Sequence, residues 1–163
     1  MTTEIERKFR MPDDWKTHLQ EWQVAITSVM KIEQTYLALG LNEEIRVRRI
    51  TQLPKGEVTY THTYKSGSGL KKQEIEYPIS ADLYAQLLER DKLRLLIKHR
   101  FVASWDGYRL EIDTYDQFAL SVVEVEFESE DEALAFHPPY WFGEELDQTF
   151  EYSNKVLWKK TQE

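Results

Sequence analysis

Charge of one sign recurs at alternate positions along this chain, opposite apolar residues. In TEIERKF, residues 3–9, Glu4, Glu6 and Lys8 alternate with Ile5, Arg7 and Phe9. Successive side chains of a β-strand leave on opposite faces, so the three charges share one face. IRVRRI sets Arg46 and Arg48 against Ile45 and Val47, and KQEIEYPI sets Glu74 and Glu76 against Ile75 and Tyr77. IKHRF, LEIDTY and VVEVEF repeat the pattern with Lys98/Arg100, Glu111/Asp113 and Glu124/Glu126, and EVTYTHTYK ends on Lys65. β-Branched and aromatic residues fill most of the opposite faces, which is strand composition.

For one strand, the plain reading is the solvated side of an antiparallel sheet. For the set, that reading weakens. A surface built for solubility mixes signs, and like charges side by side on one face cost energy unless opposite charge lies between them. A closed antiparallel barrel with a wide charged interior resolves the conflict, because each strand then sends one face inward. Inward acids would hold a hard divalent cation, Mg²⁺ or Mn²⁺, through oxygen ligands. Inward bases would hold a polyanion. Together they make a constellation for phosphoryl transfer. There is no GKS or GKT phosphate loop, so a P-loop enzyme is excluded.

Helical patterns are fewer. PDDWKTHLQEW places Trp15, Leu19 and Trp22 on one stripe, and SADLYAQLLER starts at a cap, Ser80. In SEDEALAF, Ser129 and Glu132 read as a capping box, and residues 152–160 read as a last helix. Loops are expected at 40–42, 54–56, 66–69 and at Asp106-Gly107, a hairpin signal. Both TEIERKFRMPDDW and QEIEYPISADLY run strand, break, helix, and a basic strand follows each. The fold class expected is α+β: a barrel of about eight strands with flanking helices, in two related β-α-β-β-β halves. Residues 1–163 are read as one domain.

The chain has no cysteine, so disulfides and thiolate metal sites are excluded, and a reducing cytoplasm is the expected location. No leader peptide and no membrane partner are expected. A net charge of −8 argues against nucleic acid as a partner. His18, His62, His99 and His137 are dispersed and read as structural or surface residues.

In order, Glu4-Ile5-Glu6-Arg7-Lys8-Phe9, Gln34-Thr35-Tyr36-Leu37, Arg46-Val47-Arg48, Lys65, Gln73-Glu74-Ile75-Glu76, Lys98-His99-Arg100, Leu110-Glu111-Ile112-Asp113, Val123-Glu124-Val125-Glu126-Phe127, Trp141-Phe142-Gly143-Glu144-Glu145 and Tyr152-Ser153-Asn154-Lys155 resemble the CYTH superfamily, the triphosphate tunnel metalloenzymes. The chain looks most like the small bacterial members that hydrolyse inorganic triphosphate. The resemblance implies that Glu4, Glu6, Glu124 and Glu126 are the main metal ligands. It also implies that Glu74, Glu76 and Asp113 line the acidic side as further metal residues, holding metal-bound water or a second ion, and that Lys8, Arg46, Arg48, Lys65, Lys98 and Arg100 grip the triphosphate. Lys8 and Tyr36 are the pair it implies for activating water. Alternatives on the same fold are a nucleoside or thiamine triphosphatase and an adenylate cyclase; a polyphosphate-binding module without turnover is the alternative of another class. Two departures from the family pattern stand out. Thr35 replaces a frequent Gly, and Thr149-Phe150-Glu151-Tyr152 replaces Asp-x-Arg-Tyr.

Overall fold

The structure is a computed structural model that describes residues 2–146 and 152–163. Nine strands alternate with short helical elements. The strands are β1 (Thr2–Arg10), β2 (Ala25–Leu39), β3 (Glu43–Leu53), β4 (Val58–Ser66), β5 (Lys71–Pro78), β6 (Leu96–Trp105), β7 (Tyr108–Tyr115), β8 (Ser121–Glu126) and β9 (Glu145–Leu146). The helices are α1 (Ala81–Asp91), α2 (Glu130–Ala135) and α3 (Asn154–Gln162), and a 3-10 turn covers Trp15–His18.

The sheet runs β5-β4-β3-β2-β6-β7-β8-β1-β9, and a further β5–β1 pairing closes it. β1 is the closing strand. Its first half pairs with β5 and its second half with β9, while β8 runs along its other side. Eight antiparallel strands thus form the barrel. The two expected halves are β1–β4, with the 3-10 turn between β1 and β2, and β5–β8, with α1 between β5 and β6.

A barrel of eight strands normally fills its interior with side chains. Here that filling is charged, and the apolar core lies outside the wall. Phe9, Leu110, Ile112, Val123 and Val125 turn outward beneath Met11, Trp15, α2 and Trp141-Phe142. A second cluster, Leu96, Tyr115, Leu120, Val122, Leu146 and Leu157, seats α3 against the barrel. Ser80, Ser129 and Ser153 cap their helices by accepting a backbone N–H three residues on, which supports helices too short to stand alone.

One expectation is corrected, and one strand carried no signal. PDDWKTHLQEW forms only the 3-10 turn, because tertiary contacts override its helical spacing. Trp15 sits edge-on to Phe101, Trp22 stacks on Trp141 at 4.4 Å, and Gln23 turns the chain at φ 57. β2, at 15 residues the longest strand, carries no run of like charge and so had no single-signed pattern to announce it.

Candidate active site

Cross-strand register decides which charges meet. Glu4, Glu6 and Lys8 face inward from β1, and Lys8 lies opposite Glu124 on β8. Glu111 on β7 lies opposite Glu124 as well. Carboxylate oxygens of Glu6, Glu111 and Glu124 converge within 4.8 Å of one another. Burial and the charge of Glu124 push Glu6 well above the usual carboxylate range. Burial also works against charge on Glu124, but Lys8, a hydrogen bond from Glu6 and Arg100 hold it down at about 2. Three oxygen donors crowded this closely suit a hard divalent cation, which would relieve their repulsion.

The other expected acids are engaged by cations. Asp113, 1% exposed, accepts hydrogen bonds of 2.9 Å from Arg100 Nε and from Arg100 Nη2, and Lys98 Nζ lies 2.9 Å away. Burial alone would raise its pKa, but Arg100 and Lys98 hold the carboxyl far below its ordinary range. Glu76 accepts from Arg48 Nη2 and from Thr63 Oγ1, both at 2.8 Å. Lys65 Nζ lies 2.7 Å from Glu4, 3.9 Å from Glu74 and 4.0 Å from Glu6. Glu126 sits at a mouth of the barrel, 3.2 Å from Arg109 Nε. Burial and the neighbouring Glu111 raise its pKa to about 7.

The cations crowd one another. Burial, then the charges of Arg46 and Arg100, pull Arg48 down to about 10. Burial brings Lys98 to about 8 against the pull of Asp113, and burial brings Lys72 to about 8. A polyanion placed among them would offset this mutual repulsion.

Tyr36 is 3% exposed and lies opposite Arg46 on β3, with its hydroxyl in the field of Glu44 and Arg46. Burial, then Glu44, raise the phenol above its ordinary value, so it keeps its proton and acts as a donor. Lys8 Nζ donates to the Tyr152 carbonyl at 3.2 Å. Both side chains line a cavity of about 50 Å³ that opens to solvent. Glu4, Glu6, Glu44, Arg46, Lys65, Arg100, Glu111, Glu124, Ser153, Asn154 and Lys155 share that lining. Among the described residues, buried polar atoms without a hydrogen-bond partner include both amide atoms of Gln34, Glu44 Oε2, Arg46 Nε, Arg48 Nε and Glu74 Oε2. Of these residues Glu44 and Arg46 line the cavity, where a polar ligand would satisfy them.

A CYTH domain profile matches residues 2–148. The chain belongs to the CYTH family. It is 35% identical over 161 residues to the inorganic triphosphatase of Nitrosomonas europaea, covering 95% of this chain and 96% of that one. An inorganic triphosphatase of Acetivibrio thermocellus is 28% identical, covering 98% and 95% of the two chains. The crystal structure of an inorganic triphosphatase superposes with a TM-score of 0.59 at 35% identity, over 96% of this chain and 95% of that one. A Pyrococcus horikoshii protein at 19% identity shares the fold, with a TM-score of 0.61 over 78% and 79% of the chains.

Several lining residues of this CYTH barrel were not singled out from sequence. Glu111 was paired with Asp113 but given no role, although it alternates with Asp113 on the inward face. Lys72 and Glu44 precede Glu74 and Arg46 by two residues, the spacing that shares a face. Ser153, Asn154 and Lys155 reach the cavity only because α3 docks at that end. The departure at residues 149–151 lies outside the described residues. Thr35 accepts a hydrogen bond from Trp158 Nε1 at 2.8 Å, tying β2 to α3.

Proposed function

We propose that the protein hydrolyses inorganic triphosphate to pyrophosphate and phosphate inside the barrel, with a divalent cation, Mg²⁺ or Mn²⁺, held by Glu6, Glu111 and Glu124. The observation that carries this reading is the three-carboxylate group facing a crowd of buried Lys and Arg in one closed tunnel. The names of the relatives supply the substrate. A cation at the three carboxylates would offset charge on the transferring phosphoryl group and on the departing pyrophosphate.

The protein's own side chains do the rest. Arg46, Arg48 and Arg100 offer forks of N–H donors to phosphate oxygens, and Lys65 and Lys98 add point charge. Asp113 and Glu76 hold Arg100 and Arg48 in place, so these donors are oriented before substrate enters. Lys8 and Tyr36 flank the end of the cavity near α3. In this reading Tyr36 donates a hydrogen bond that orients the attacking water, Lys8 holds the phosphoryl oxygens beside it, and the water's proton passes to a phosphoryl oxygen as the new P–O bond forms and the bond to pyrophosphate breaks. Glu4 and Glu74 balance Lys65, and Glu126 with Arg109 guards the mouth. Residues 1–163 act as one unit, since α3 contributes to the cavity lining.

Among the described lining residues Tyr36 is the one aromatic, and it is held against Trp158. A base or a thiazolium ring would find little surface to stack on, which favours a bare polyanion over nucleotides or thiamine triphosphate. A polyphosphate-binding module would have no use for the converging acids. The absence of cysteine suits a cytoplasmic enzyme, and no helix among the described residues is long and apolar enough to cross a membrane. The test is phosphate release from inorganic triphosphate, ATP, thiamine triphosphate and pyrophosphate, with Mg²⁺, with Mn²⁺ and with chelator. Metal-dependent turnover that favours inorganic triphosphate supports the reading. Release mainly from an organic triphosphate, or none from any substrate, overturns it.

A further inference from the structure

Among the described residues, the carboxylates that line the cavity are Glu4, Glu6, Glu44, Glu111 and Glu124. All but one are engaged. Glu6, Glu111 and Glu124 converge as the cation group, and Glu4 takes Lys65 at 2.7 Å. Glu44 does neither. Lys65 lies opposite it on β4, yet the ammonium turns to Glu4 instead. Glu44 makes no ion pair among the described residues, and its Oε2 is buried without a hydrogen-bond partner.

Its place is set by β3. Glu44 precedes Arg46 by two residues, so both leave on the inward face. Arg46 lies opposite Tyr36 on β2. Tyr36 and Glu44 are thus diagonal neighbours, about 7–8 Å apart on the sheet and within reach of side chains this long. The charges acting on the Tyr36 hydroxyl are those of Glu44 and Arg46. The β2 strand is also irregular here. Pairing runs Tyr36 with Arg46, then Ala38 with Ile45 and Leu39 with Glu44, which leaves Leu37 as an extra residue. Such a bulge bends its strand and re-aims the side chains beside it, and bulges gather next to active sites.

A water that accepts a hydrogen bond from Tyr36 still has two protons to direct. Its free lone pair reaches phosphorus only if both protons are held elsewhere. One can go to a phosphoryl oxygen, and the other needs an acceptor in the wall. A cavity of about 50 Å³ has room for a water beside Tyr36. We propose that Glu44 is a further catalytic residue, whose carboxylate accepts a hydrogen bond from the attacking water and, with Tyr36, aims its lone pair at the terminal phosphorus. This rests on the triphosphatase reading and deepens it. The proton balance is the same. As the new P–O bond forms and the bond to pyrophosphate breaks, the water's proton passes to a phosphoryl oxygen, and Glu44 ends the cycle ionised as it began.

The test compares E44A, which removes the acceptor, with E44Q, which keeps a weaker one. E44A lowers kcat for inorganic triphosphate by about 10²-fold. E44Q lowers it by about tenfold, since a neutral amide oxygen accepts less strongly than a carboxylate. KM rises in neither, because a negative charge has left a cavity that binds an anion. The metal concentration for half-maximal rate is unchanged. With Tyr36→Phe added, kcat falls little below that of the slower single variant, as two residues that hold one water require. A further readout does not depend on turnover: in chelator, triphosphate raises the melting temperature of E44A at least as much as that of wild type. A kcat within about twofold of wild type in both variants overturns the proposal. So does a raised KM with kcat kept, which would make Glu44 a counter-charge for Arg46, and so does an effect confined to metal half-saturation. Losses that multiply in the double variant overturn it as well. If E44A does not fold, E44Q decides by the same readings. If wild type acts mainly on an organic triphosphate, the substrate reading alone fails, and the same comparison on that substrate decides for Glu44. No release from any substrate overturns both.

Discussion

Arg100 grips Asp113 through two parallel hydrogen bonds of 2.9 Å, from Nε and from Nη2 to the two carboxylate oxygens. Lys98 Nζ lies 2.9 Å from one of the same oxygens, and both Lys98 and Asp113 are 1% exposed. An acid so enclosed fixes the position of the two cations proposed to bind the substrate.

Asp113→Asn leaves two buried cations short of a partner and costs about 3–5 kcal/mol at neutral pH. The sign with pH follows from the depressed folded pKa. The stabilising contribution of the wild-type carboxylate is present above its unfolded value of about 4 and is lost as pH falls toward the folded one. Urea unfolding between neutral pH and about pH 2 should show wild type losing stability more steeply on the acid side than Asp113→Asn.

Glu111→Gln removes one of three converging oxygens while leaving the barrel wall intact. The Mn²⁺ or Mg²⁺ concentration for half-maximal rate rises by about tenfold or more. Titration of Mn²⁺ into the apoprotein by calorimetry checks this without turnover; binding unchanged from wild type would remove Glu111 from the cation site.

Tyr36 keeps its proton across the working range, because burial raises its pKa. The pH–rate profile of wild type should therefore show no limb from a tyrosinate below about pH 10, its unperturbed value. Tyr36→Phe lowers kcat by about 10²-fold and leaves KM nearly unchanged, as loss of the hydrogen bond that orients the reacting water requires. Steady-state kinetics across pH separate this from a packing role, which would move KM and melting temperature together.

Trp158 pins α3 to the wall through its N–H to Thr35 Oγ1 and its ring edge against Tyr36. Trp158→Phe keeps most of the packing and loses the hydrogen bond, worth about 1 kcal/mol, or about 2–4 °C in melting temperature. Thr35→Gly, the residue frequent in the family, keeps the indole N–H on the Arg94 carbonyl at 3.2 Å but empties a buried strand position, so it should cost more. Scanning calorimetry of the two variants orders them.

Alternation alone sets which side chains of the charged strands face inward. Period-two alternation in residues 3–9, 45–50 and 122–127 places Glu4, Glu6, Arg46, Arg48, Glu124 and Glu126 on one face whatever the strands pair with. It also argued for closure, because an open sheet with that face has no reason to segregate its signs. The 3-10 turn at Trp15–His18 and the strand β2 were not legible in the same way. The first depends on aromatic contacts from distant segments, and the inward face of β2 carries Met30, Ile32, Gln34 and Tyr36 instead of like charge. Only the tertiary structure decided how the acids divide. Asp113 and Glu111 share a strand and a face and both accept from Arg100, yet Asp113 is closed off by Lys98 while Glu111 also converges with Glu6 and Glu124. Lys155 reaches the cavity because α3 docks on the barrel, with Leu157 packed in the cluster that holds Leu96. Alternation is a property of one strand, whereas the partner of a charge is set by register between strands far apart in sequence, and electrostatic roles follow the partner.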